Sequence, residues 1–164
     1  MSESLRERLM NRRRPSATCR IRVDDTASAT KALEQAVVGL RLLRGSGEDD
    51  LAQAQAAVRE AQEALEACYQ PLTLLALRPP DFEALVAAHP PREGTDDIEW
   101  NVDTFGPALF RACAQGDMTD ADWDAWFVES CSDGEEAALY QAALAINVRA
   151  PEGTIPKELT RMLD

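Results

Sequence analysis

Between Pro79 and Val148 the chain repeats one device, a short amphipathic segment bounded by prolines, glycines or capping residues. It runs PPDFEALVAAHPP, an acidic spacer, WNVDTFGPALFRAC, then MTDADWDAWFVESCSDGEEAALYQAALAINV. Phe82, Leu85, Val86 and His89 share one helical face; Pro79 and Pro80 suit its first turn, and Pro90-Pro91 stops it. Arg92–Asn101 reads as an exposed acidic linker. Asp103 is placed to cap the next helix, with Phe105, Ala108, Leu109 and Ala112 inward, Pro107 near the first turn and Gly116 as the stop. Thr119 with Asp122, and Ser132 with Glu135, have capping-box spacing. The two helices they open bury Trp123, Trp126, Phe127 and Cys131, then Leu139, Ala142, Ala143 and Ile146. A segment built this way packs as a helical scaffold, because its polar residues serve helix ends and turns.

The first half has a different rhythm. Residues 1–16 form a basic arm with one helical turn expected around Leu5–Met10. Thr18–Val23 alternates, with Cys19, Ile21 and Val23 on one side, as a half-buried strand does. Asp25 and Thr26 are cap-type residues for a helix reaching about Arg44, striped by Ala29, Leu33, Ala36, Leu40 and Leu43. Gly45-Ser46-Gly47 breaks it. A second helix over about 49–69 carries Leu51, Ala54, Val58, Ala61, Leu65 and Cys68 in a narrow seam suited to an αα-hairpin. Pro71 is expected to close the hairpin and Leu72–Leu77 to return as a strand. The fold expected is therefore mainly α, a helical bundle with a long αα-hairpin and a minor two-stranded antiparallel β element. Its parts are the arm (1–16), a β-αα-β region (17–78), a small helical domain (79–148) and a tail (149–164) with a last turn at Lys157–Leu163.

Charge narrows the partners. The chain of 164 residues carries a net −12, yet residues 1–22 hold seven arginines against Glu3 and Glu7, so the remainder carries −17. Such a body repels nucleic acid and anionic membranes and favours a basic partner. No apolar run approaches the roughly 20 residues of a membrane span. Cys19, Cys68, Cys113 and Cys131 are widely spaced with no CxxC pair, which fits reduced thiols in a cytosolic protein.

Each chemical candidate reduces to a structural role. Asp120, Asp122 and Asp124 alternate as a calcium loop begins, but Ala125 stands where glycine is required and Cys131 where glutamate is. Acids at a helix start are also what the macrodipole favours. The four cysteines and His89 lack the short spacing of a zinc site. His89, the single histidine, ends a helix, where it can interact with the last carbonyls; no nucleophile motif accompanies it. Gly45 and Gly47 lack the lysine of a phosphate loop. No catalytic, cofactor-binding or metal residue is assigned. Arg6, Arg8 and Arg12–Arg14 can neutralise phosphates, but no aromatic residue interleaves them for stacking. An acidic surface, on this chain or a second copy, is the favoured dock for the arm.

The order PPDFEALVAAHPP, acidic spacer, WNVDTFGPALFRAC, MTDADWDAWFVES and EEAALYQAALAINV, closing at Asn147, resembles the tail assembly chaperones of long-tailed actinobacterial (Streptomyces-type) phages. The LRERLMNRRRPSAT opening and the charged hairpin resemble them too. The resemblance implies a non-enzymatic protein of the host cytoplasm that binds the tape measure protein, keeps it soluble during tail assembly and leaves before maturation. The major tail protein and a second copy of the chain are further expected partners, and the resemblance implies a longer frameshifted form of which this chain would be the shorter. Client contacts are expected on an exposed edge of the helical half or on the hairpin seam. Two other readings stand beside it: a virion structural protein (head–tail connector or minor tail component), and a nucleic-acid-binding regulator using the basic arm.

Overall fold

In the computed structural model, which describes residues 4–148, the regular structure is seven helices and one two-stranded antiparallel ribbon. The mainly helical fold expected from the periodicity is present. The elements are α1 (Leu5–Met10), β1 (Ser16–Arg22), α2 (Ala27–Leu42), α3 (Glu48–Glu66), β2 (Tyr69–Leu75), α4 (Pro79–Ala88), α5 (Val102–Cys113), α6 (Asp120–Glu129) and α7 (Asp133–Val148). The C-terminal tail with its expected turn at 157–163 lies outside the described residues. These residues form two units, one of 4–19 with 73–148, the other Arg20–Leu72.

The Arg20–Leu72 unit is the αα-hairpin. Its two apolar stripes face each other as the spacing predicts: Ala29, Leu33, Ala36 and Leu40 of α2 are half-buried, as are Leu51, Ala54, Val58 and Leu65 of α3. Only Ala61 of the two helices is fully buried, so the seam is thin. Asp25, not Thr26, serves the start of α2: its Oδ1 accepts from the Ala27 N–H at 3.2 Å, while the Thr26 side chain makes no capping bond. Gly45 sits in the loop at φ +93°, a conformation that favours glycine. Glu48, Asp49 and Asp50 occupy the first turn of α3, where the helix dipole favours acids.

Two expected boundaries move. The helix α3 ends at Glu66, so Cys68 and Tyr69 leave it, and Pro71 lies inside β2 instead of before it. A proline is tolerated there because a two-stranded ribbon is all edge. Val23, expected inward, follows β1 and is exposed, its N–H donating to the Cys68 carbonyl at 2.9 Å.

In the other unit α5 is the hub. It buries Phe105, Leu109, Phe110 and Cys113. This corrects the expected face: Ala112 is exposed, and Phe110 and Cys113 point inward in its place. The Phe110 ring meets Trp123 edge-on at 5.0 Å and Phe127 at 5.6 Å, joining α6 to the core. Asn101 caps α5 by accepting from the Asp103 N–H at 3.1 Å, so Asp103 is a first-turn residue and not the cap. Pro107 lies in the helix interior, where it removes a backbone donor that would have served the Asp103 carbonyl. The helix stops before Gly116, because Ala114 turns extended, bridges to Leu74, and passes the chain to Gln115, whose N–H donates to the Thr73 carbonyl at 2.9 Å.

Both expected capping boxes form. Thr119 and Asp122 exchange side-chain-to-backbone bonds at α6, and Ser132 and Glu135 do so at α7. A third, Ser4 with Glu7, opens α1. The arm is anchored where it joins β1: Arg14 Nη1 donates to the Ala76 carbonyl at 2.9 Å, and the Ala76 N–H donates to the Pro15 carbonyl at 2.8 Å.

Candidate functional site

Several residues weighed for chemistry have a structural occupation. Asp122 is held by Thr119, and these hydrogen bonds lower its carboxyl pKa. Asp124 pairs with Arg111. His89 is the C-cap of α4, but its ring does not reach the last carbonyls; Nδ1 lies 2.9 Å from Thr104 Oγ1 and the ring stands edge-on to Phe105. The four cysteines are unbridged. Cys113 is enclosed, and burial pushes its thiol pKa up, the opposite of what a nucleophile needs. Among the described residues no three His, Cys, Asp or Glu side chains gather as a metal set.

What remains is a surface. Gly106 of α5 lies against Tyr140 of α7, and Cys113 of α5 lies against Asn147 of α7. Each helix has advanced by the same seven residues between these contacts, so α5 and α7 run parallel. Gly106 permits the close approach, since a β-carbon there would stand 3.2 Å from Tyr140 Cδ2. Alongside this contact runs an open, apolar groove of about 270 Å³. Trp100, Val102 and Leu109 line one wall, and Ala137, Gln141 and Leu144 the other.

Three features hold the groove in shape. Asn147 bolts the far end: Oδ1 accepts from the Leu77 N–H at 2.9 Å, and Nδ2 donates to the Ala143 carbonyl at 2.8 Å. Tyr140 donates its hydroxyl to Glu136 at 2.5 Å; burial first, and then that carboxylate, raise its pKa well above the usual phenol value. The third is the acidic linker, which is exposed over most of its length as expected but is anchored at one point. Arg92 reaches Asp97 at 2.8 Å and Asp103 at 2.5 Å, and the Asp97 side chain is only 2% exposed. The hydrogen bonds from Arg92 hold the Asp97 carboxyl well below the usual carboxylate range. This clip sets Trp100 flat on Phe105, ring centroids 4.4 Å apart.

The acidic residues are concentrated at one end. Because the helices are parallel, Asp103 in the first turn of α5 and Asp133, Glu135 and Glu136 in the first turn of α7 lie at the same end of the groove. Val102, 58% exposed, stands beside them. The groove lies on the helical half. The hairpin seam, the other expected surface, is occupied by the mutual packing of α2 and α3.

Comparison with family models, curated proteins and solved structures gave no match to this chain.

Proposed function

We propose that this chain is a non-enzymatic tail assembly chaperone, which holds the helical tape measure protein soluble in the host cytoplasm by covering apolar stripes of the client. One observation carries the reading: an apolar groove, open to solvent and acidic at one end, lies on the helical domain. An amphipathic helix laid in such a groove exchanges water for apolar contact, and the acidic end selects basic residues at one end of the helix. The sequence resemblance supplies the identity of the client.

Co-expression with the tape measure protein tests it. A soluble complex is expected, and Val102→Asp should weaken it by about tenfold or more by placing a charge on an apolar wall. Val102 is already exposed, so the variant keeps its fold. Failure to form any complex would sink the reading. Recovery of the protein from purified virions would favour a virion structural component instead, and salt-sensitive DNA binding lost on removing residues 1–14 would favour the regulator.

A further inference from the structure

Among the described residues a second surface is left exposed, and its chemistry complements the groove. Helix α1 is exposed along its whole length. Leu5 and Leu9, one helical turn apart, and Met10 are 73%, 59% and 75% exposed. Between and after them stand Arg6, Arg8, Arg12 and Arg13, whose side chains make no ion pair among the described residues. A capping box from Ser4 and Glu7 holds the turn helical, so the apolar and basic groups are presented as a formed ridge. An ordered amphipathic turn that leaves three large apolar side chains mostly exposed among the described residues is an unfavourable way to spend them.

We infer that α1 of one copy docks in the α5–α7 groove of a second copy, so that the protein associates head to tail. The dimensions are compatible: the six residues of α1 span about 9 Å, which fits within the roughly 12 Å spanned by the eight residues Ala137 to Leu144 of α7. The charges agree as well, since arginines of the arm would meet the end framed by Asp133 and Glu136, beside an Asp103 that already pairs with Arg92. In its own copy α1 lies clear of the groove, and its root at Arg14 and Ala76 adjoins the opposite end, where Leu77 is bonded to Asn147. The contact joins two different patches, so it is heterologous and builds rings or open chains. A patch this small binds weakly, which makes association concentration-dependent and lets a tighter ligand displace the arm. None of this requires the client reading; it needs only the groove.

Sedimentation velocity of the full chain over a range of concentrations and salt tests the inference. The mass of the wild type should rise with concentration and fall with added salt. Leu5→Asp/Leu9→Asp, at residues that are mostly exposed, and Val102→Asp should each weaken association about a hundredfold. Mixing these two variants should yield a one-to-one dimer, because one supplies an intact groove and the other an intact arm. Circular dichroism checks that each variant is folded. A wild type that stays monomeric, self-association that survives Leu5→Asp/Leu9→Asp, or folded variants that fail to pair on mixing would each overturn it. Retention of the tape measure complex by Leu5→Asp/Leu9→Asp would separate this interface from the proposed client function.

Discussion

Asn147 binds three partners with one amide. It receives the Leu77 N–H and gives its own hydrogens to the Ala143 carbonyl and to Cys113 Sγ, the last at 3.3 Å. Asn147→Ala leaves a partly buried backbone donor unmet, so it should lower the unfolding free energy by about 1–3 kcal/mol in a denaturant titration. Tyr140 supplies a pH-dependent counterpart. The unfolded chain releases a phenol proton near pH 10, whereas the folded chain holds it longer. Stability from this group is therefore complete below about pH 10 and is lost as pH rises beyond it. Tyr140→Phe should remove that part of the alkaline loss, seen as a shallower fall above about pH 10. Cap residues such as Thr119 and Ser132 were readable in the sequence because their partners sit three positions away. Asn147 was visible only as the end of a helix, since Leu77 and Cys113 are remote in sequence.

Elements were readable where a stripe faces one neighbour and less so where several compete. The hairpin follows its alanine and leucine spacing closely because α2 and α3 have only each other to pack on within their unit. Helix α5 must serve α4, α6 and α7, so its inner face is wider than a single stripe and admits Phe110 and Cys113. The groove had no sequence signal at all, because its walls come from helices with α6 between them in the chain. The segment before α5 is exposed over most of its length, as its acids suggested, but its anchor had no sequence signal: Arg92 pairs with Asp97 and with Asp103 of α5. Arg92→Ala should free the clip, and hydrogen–deuterium exchange over 93–101 should accelerate while α2 and α3 keep their rates. Asp97 sets the pH sign of the same clip. Its folded pKa is depressed, so the stability it adds is present above the usual carboxylate pKa near 4 and disappears as pH falls below it.

Across the whole molecule the aromatic residues are concentrated in one unit. Tyr69 is the single aromatic side chain of Arg20–Leu72, and the other eight lie between Phe82 and Tyr140. Aromatic contacts supply much of the buried area in small cores, so the two units should open at different free energies. Native-state hydrogen exchange is expected to show α2 and α3 opening more readily than α5 and α7; equal protection would contradict it. The cysteines give the same experiment a chemical form. Each unit encloses one thiol, Cys68 in the hairpin and Cys113 beside Asn147. Neither is bridged, so a thiol reagent can reach either one only when its own unit opens. The chain thus carries two internal clocks, and the Cys68 clock should run faster.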